Sequence, residues 1–275
     1  MYTILEKRKL NDAVELLVVH APYVARKCEP GQFVMVRVEE GGERIPLTIA
    51  DHDRERQSVT IIYQIVGYST IRLAEKAVGE GISDFAGPLG RPADIHPGKK
   101  RILGIGGGVG AAPLYPQLRK WKETGADVDV ILGGRSKDLI ILEKEFEAFC
   151  GQLYMATNDG SCGIQGFVTD ILKQLLHNGH VYDEVIAIGP LPMMKAVVDI
   201  TKPLGIATGV SLNPIMIDGT GMCGGCRVTV GEETRFACVD GPDFDGLLVD
   251  FDECIRRQGM YKEMEAHACR IGRGA

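Results

Sequence analysis

The sequence predicts a chain of three parts: a small antiparallel β-barrel, a parallel-sheet α/β domain and a short C-terminal segment built around metal. Three observations carry this. Val- and Ile-rich runs separated by turn signals fill the N-terminal third. From Arg101 onward, strand-like runs alternate with helical ones. Past about residue 210 the alternation stops, and a Gly- and Cys-rich segment with only short strands follows. The expected units are 1–97, 98–210 and 211–275.

In the first unit, AVELLVVHA, QFVMVRVEE and SVTIIYQIV read as strands, separated by EPGQ, EEGGER and DHDRER. Short strands at close spacing suit a small barrel. STIRLAEKAV has helical spacing, with Ser69 and Thr70 available as caps. GPLGRP and HPGKK then break the chain.

In the second unit, RILGIGG is a strand and AAPLYPQLRKWKETG a helix. The strand VDVILGGRS precedes a helical stretch from Ile140 to Cys150. The strand QLYMATND, a helix at FVTDILKQLL, the strand DEVIAIGP and the helix PMMKAVVDITKPLG complete the series. Parallel strands need such crossovers. The turn Gly106-Gly107-Gly108-Val109-Gly110 joins the first strand to its helix. Glycines there let backbone approach a pyrophosphate, and a helix N-terminus favours its charge. Gly133-Gly134-Arg135-Ser136 and Gly189-Pro190 follow later strands, at the carboxyl edge where ligands of such sheets bind. Gly-Arg and Gly-Pro are also ordinary turns.

In the third unit the cysteines cluster. The chain has eight, and Cys223, Cys226 and Cys238 lie close together. Clustering points to metal. The other five, Cys28, Cys150, Cys162, Cys254 and Cys269, read as small buried residues. The register is Asp218-x4-Cys223-x2-Cys226-x11-Cys238. Plant-type [2Fe–2S] ligation is Cys-x4-Cys-x2-Cys with a distant fourth Cys, so Asp218 takes the first place. Asp240, Asp243 and Asp245 are other nearby acids without the x4 spacing. Zinc is the alternative metal, although its ribbons carry two Cys-x2-Cys pairs. A metal centre would supply stability that so small a segment lacks. A helical run, ECIRRQGMYKEMEAHA, follows.

The net charge of −6 leaves no basic footprint for nucleic acid. No apolar run reaches the roughly 18 residues of a membrane helix. MYTILEKRKL lacks a signal-peptide core, so a cytoplasmic protein is expected.

The order of barrel, nucleotide module and cluster segment resembles the ferredoxin–NADP⁺ reductase superfamily over nearly the whole chain. Within it the chain is similar to electron-transfer subunits of dihydroorotate dehydrogenase B. It is more similar to small subunits of NADH-dependent reduced ferredoxin:NADP⁺ oxidoreductases, also called sulfide dehydrogenases, in which Asp replaces the first cluster Cys. The resemblance implies FAD, a [2Fe–2S] cluster on Asp218, Cys223, Cys226 and Cys238, and NAD(H). It implies electron transfer between NAD(H) and a larger flavoprotein subunit carrying FAD and [4Fe–4S] clusters, with ferredoxin reached through the complex. The alternatives are the electron inlet of dihydroorotate dehydrogenase, whose subunits use four Cys, and a redox sensor without turnover.

The resemblance also implies roles for residues. Arg44-Ile45-Pro46-Leu47-Thr48 matches the first flavin motif. Thr48 takes the place near flavin N5, and Pro46 and Leu47 take the stacking position. Ile45 stands where relatives carry Arg, and Arg44 lies one residue earlier. Tyr63-Gln64-Ile65-Val66-Gly67-Tyr68-Ser69-Thr70 matches the second motif, with Gly67, Ser69 and Thr70 as diphosphate donors. Gly87-Pro88-Leu89-Gly90 matches the turn linking the domains. Gly107, Gly108 and Gly110 match the pyrophosphate turn, and Asn158, Asp159, Gly160, Ser161 and Gly166 match the Asp-Gly-Ser loop. Gly189 and Pro190 match the motif beside nicotinamide, with Ile188 replacing Cys. NADH-using relatives carry a stretch like Arg135-Ser136-Lys137-Asp138, while Arg135 and Lys137 leave NADP(H) open through its 2′-phosphate. No side chain is expected to transfer a proton.

Overall fold

Apolar residues recurring at alternate positions build the first sheet. In the computed structural model the described residues are 1–260. The strands β1 (Tyr2–Asn11), β2 (Val14–His20), β3 (Phe33–Arg37), β4 (Arg44–Asp53), β5 (Ser58–Gln64), β6 (Gly81–Ile82) and β7 (Asp84–Leu89) form a seven-stranded antiparallel sheet. Its order is β6-β1-β2-β5-β4-β3-β7, curled into a nearly closed barrel. Ile4, Leu17, Val19, Val34, Val36, Ile61 and Phe85 fill it. The three predicted strands coincide with β2, β3 and β5. The first strand, β1, escaped prediction because Ile4 is its one buried residue and a charged run from Glu6 to Lys9 fills its middle.

Two helices, α1 (Pro22–Lys27) and α2 (Tyr68–Glu75), cover the barrel. The predicted caps of α2 are corrected: Gly67 is the N-cap. Thr70 lies inside the first turn, where its Oγ1 accepts from the Val66 and Gly67 N–H groups at 3.0 Å each.

The second sheet alternates β8 (Arg101–Gly107), α3 (Ala111–Glu123), β9 (Asp127–Gly134), α4 (Glu143–Glu147), β10 (Leu153–Thr157), β11 (Ile164–Gln165), α5 (Val168–His177), β12 (Glu184–Ile188), α6 (Leu191–Thr201) and β13 (Ala207–Ser211). These strands pair in parallel. Helix α4 is shorter than the predicted Ile140–Cys150 stretch. Ile141 and Leu142 enter the core before it begins, and Leu142 takes φ +61°.

The C-terminal segment adds a hairpin, β14 (Arg227–Val230) and β15 (Glu233–Phe236), then β16 (Asp243–Asp245) and α7 (Phe251–Gln258). Strand β16 pairs antiparallel with β13, Ser211 facing Asp243, and so becomes the edge of the parallel sheet. Phe251 and Cys254 of α7 enter that sheet's core. The part of the predicted last helix beyond Met260, and Cys269, lie outside the described residues. Barrel and sheet are pinned by Arg119, whose Nη1 and Nη2 donate to Asp51 Oδ2 and Oδ1 at 3.1 and 2.6 Å.

Candidate functional site

A cleft of about 770 Å³ opens between barrel and parallel sheet. From the barrel come Ile45, Pro46, Leu47, Thr48, Tyr63 and Thr70. From the sheet side come Gly107, Gly108, Gly110, Arg135, Asn158, Gly189 and Pro190. Val109, Met193 and Met194 also line it. A cleft of this size, largely apolar and edged by few polar groups, is what a flavin and a nicotinamide require.

The barrel wall comes from β4 and β5. Pro46, Leu47 and Thr48 are consecutive in β4, hydrogen-bonded across to β3. Tyr63 reaches the cleft along β5, but its phenol does not serve it. The ring is buried in the barrel core and the hydroxyl donates to Glu15 Oε2 at 2.8 Å. Arg44 is turned into an ion pair with Asp84, 3.4 Å away. Gly67 and Ser69 flank the cleft without lining it, beside Val66 and Thr70, which do. The N-terminus of α2 stands at this edge, where its unpaired N–H groups suit an anion.

Opposite lies the turn into α3. Gly108 has φ +55°, and a Cβ there would meet nothing within 4 Å, so its freedom serves the backbone path and leaves open space. Gly110 differs: a Cβ would stand 2.3 Å from the Ile188 carbonyl, so glycine lets α3 pack on β12. Arg135 is exposed at the end of β9. Lys137 is held in an ion pair with Glu143. Asn158 lines the cleft, while the Asp159 carboxylate turns back on its own loop and accepts from Ser161 N and Oγ at 3.0 and 2.7 Å. Those bonds lower its pKa.

The four proposed cluster ligands form two pairs. Cys226 Sγ and Cys238 Sγ are 3.2 Å apart and buried. Cys223 Sγ and Asp218 Oδ1 are also 3.2 Å apart, and Cys223 is exposed. Asp218 accepts further from the N–H groups of Thr220, Met222 and Cys223. Partial burial works to raise its pKa, but the bonds from Cys223 and Thr220 win and hold it at about 2. Burial pushes the Cys238 thiol up, and Cys226 adds to that, so metal binding must displace a proton there. The other acids are engaged elsewhere. Asp240 accepts from Phe236 N, Asp243 from Gln117, and Asp245 from Leu247 N.

Two pairs suit a two-iron cluster, in which each iron takes two protein ligands. Among the described residues no three His, Cys, Asp or Glu side chains converge as one metal ion would require. Cys226 and Cys238 pack against Phe33 and Met35 of β3 and against Met216. Phe33 and Met216 also line the cleft. Gly219 permits this contact: at φ +77°, a Cβ would press within 2.6 Å of the Met35 side chain.

Residues 213–250 match the iron–sulfur cluster binding domain of dihydroorotate dehydrogenase B. A Thermotoga maritima homologue of the electron-transfer subunit of dihydroorotate dehydrogenase B (NAD⁺) is 44% identical, over 95% of this chain and 92% of its own. The chain belongs to the family of dihydroorotate dehydrogenase B electron-transfer subunits and their homologues. An uncharacterized Clostridium beijerinckii protein, from the adh 3′ region, is 52% identical over 98% of this chain and 93% of its own. The solved structure of an NADH-dependent reduced ferredoxin–NADP oxidoreductase, described for flavin-based electron bifurcation, superposes with TM-score 0.92. It is 42% identical and covers 98% of this chain and 96% of that one. The fold of this family member is ferredoxin-reductase-like, and it is an oxidoreductase subunit.

The signals that sequence reading missed are Phe33, Met35 and Met216. Their apolar identity marks them only as core. Nothing local in the sequence says that Phe33 and Met216 lie between the cleft and the buried cysteine pair.

Proposed function

We propose that this subunit moves electrons between NAD(H) and a partner flavoprotein, using FAD in the cleft and a [2Fe–2S] cluster on Asp218, Cys223, Cys226 and Cys238. The observation that carries this is the shared wall: Phe33 and Met216 touch both the cleft and the buried cysteine pair. When bound, nicotinamide and flavin supply hydride chemistry and the cluster supplies single-electron chemistry, while the protein holds and orients them. Thr48, Pro46 and Leu47 position the flavin ring, and Gly67, Ser69 and Thr70 at α2 receive its diphosphate. Gly107, Gly108, Gly110, Asn158, Gly189 and Pro190 receive the nicotinamide nucleotide, with Arg135 at its ribose end. The apolar wall keeps water from the space between the two sites. No side chain is assigned a proton to move. The units proposed for this function are 1–97, 98–210 and 211–275.

The partner proposed is a larger flavoprotein carrying FAD and [4Fe–4S] clusters, as the resemblance implies. The name of the family favours a second reading, an electron inlet for dihydroorotate oxidation. Anaerobically purified protein is expected to show flavin absorption and, when reduced, a [2Fe–2S] EPR signal. Brisk NADH oxidation with an artificial acceptor is expected as well. Colourless protein sinks the proposal, and coloured protein without NADH oxidation leaves only the sensor reading. Dihydroorotate-dependent NADH formation with a candidate catalytic subunit would replace the proposed partner by the second one.

A further inference from the structure

Two arginines outside the ligand set grip the cluster loop. Arg227 Nη1 donates to the Gly224 carbonyl at 3.3 Å, and Arg257 Nη2 donates to the Gly225 carbonyl at 3.1 Å. Both glycines lie between Cys223 and Cys226. The Gly225 N–H donates in turn to Cys223 Sγ at 3.4 Å. That N–H and the Gly224 carbonyl belong to one peptide unit. A guanidinium on the carbonyl polarises the N–H that faces sulfur, because hydrogen bonds in a chain strengthen one another.

Arg257 reaches the loop from a fixed element. Its helix, α7, is anchored in the core of the parallel sheet through Phe251 and Cys254. Lys195 of α6 also bonds Asp252 of α7 at 2.6 Å. The two cations therefore differ in setting. Arg227 is exposed and Arg257 is half-buried, where water and salt screen it less.

An iron–sulfur cluster gains one negative charge on taking up one electron. Net charge and hydrogen bonds to its sulfurs are what set its potential. We infer that Arg227 and Arg257 are positioning residues that hold the cluster's reduction potential up, by clamping the Gly224–Gly225 backbone against Cys223. This rests on the cluster reading given above. It gives the C-terminal helix a redox role, since Arg257 ties the cluster loop to the nucleotide-binding sheet.

The test is a redox titration of the full chain, loaded with flavin and cluster and read by the cluster's EPR signal. Iron and sulfide per chain are measured in the same samples. Arg227→Gln and Arg257→Gln are each expected to lower the midpoint. In the double variant the reduced-to-oxidised ratio at a given potential should fall about tenfold, which is about 59 mV for one electron. Lysine variants keep the charge without the planar fork, and should shift the ratio the same way by only about threefold. Glutamine variants with full iron and a wild-type midpoint overturn the inference. If a glutamine variant loses iron, a wild-type midpoint in its lysine counterpart overturns it. A wild-type protein without a [2Fe–2S] signal defeats the cluster reading itself.

Discussion

The two halves of the proposed cluster site stand in opposite surroundings. Cys226 and Cys238 are buried on the barrel strand β3, against residues that also wall the cleft. Asp218 and Cys223 sit in a glycine-rich loop at the surface, with Cys223 and Met222 exposed. The buried pair rests on apolar packing and the outer pair on hydrogen bonds from the loop's own backbone. The contrast matches the proposed conduit: one pair faces the cleft and the other faces outward. It also fits the proposal of an oxygen ligand in the outer pair. A carboxylate at the surface stays solvated and ionised, whereas one between Phe33 and Met35 would have to be desolvated.

The largest effect is expected at the inner pair. Cys226→Ala should abolish the cluster, read as loss of its visible absorption and of iron, because it removes one thiolate of the buried pair. Retained iron would break the comparison. The outer pair should be more forgiving. Asp218→Cys should keep the cluster and change its midpoint, since thiolate is softer than carboxylate. Asp218→Ala with spectrum and midpoint both unchanged would mean that the outer ligand is misassigned.

A third test addresses how the cluster segment is tied to the parallel sheet. Asp243 of β16 accepts from Gln117 Nε2 at 2.9 Å, while its Oδ1 is sealed from solvent without a partner. Burial raises its pKa to about 7, against the lowering effect of Ser211 and Gln117. The folded chain thus keeps a proton that the unfolded chain releases near pH 4. The stabilisation is complete below about pH 4 and is lost as pH rises through about 7. Asp243→Asn should flatten this dependence, by on the order of 1–3 kcal/mol between about pH 5 and pH 8 in urea unfolding. A variant profile parallel to wild type would show that the carboxyl titrates normally.

The smallest effect is expected away from both pairs. Arg119→Met removes the half-exposed bond to Asp51 between barrel and sheet, and should cost about 1 kcal/mol or less. The cluster's EPR signal should not change. A changed signal would mean that the domain contact, more than local packing, sets the cluster's environment.

Much of the fold was legible because its signals are local. Strands β2, β5, β8 and β12 are apolar runs with clear breaks, and α3 and α5 carry helical spacing. Charged β1 and the extended entry into α4 were not legible, since tertiary packing decided which of their residues to bury. Within the candidate site, Asp218 could be nominated because the x4 register is a one-dimensional property. Arg44 could not be placed, since its partner Asp84 is distant in sequence and adjacent only across the sheet.

By itself, then, the sequence determined the three-part order, the glycine turn before α3 and the spacing of the four candidate ligands, because each follows from chain geometry over a few residues. Tertiary structure decided that the four candidate ligands fall into a buried pair and an outer one. It also decided that β16 closes the edge of the parallel sheet and that Phe33 and Met216 both line the cleft and pack with the buried cysteine pair. These facts arise from contacts between distant segments, where apolar burial rewards any complementary surface and leaves no mark of its partner in the local sequence.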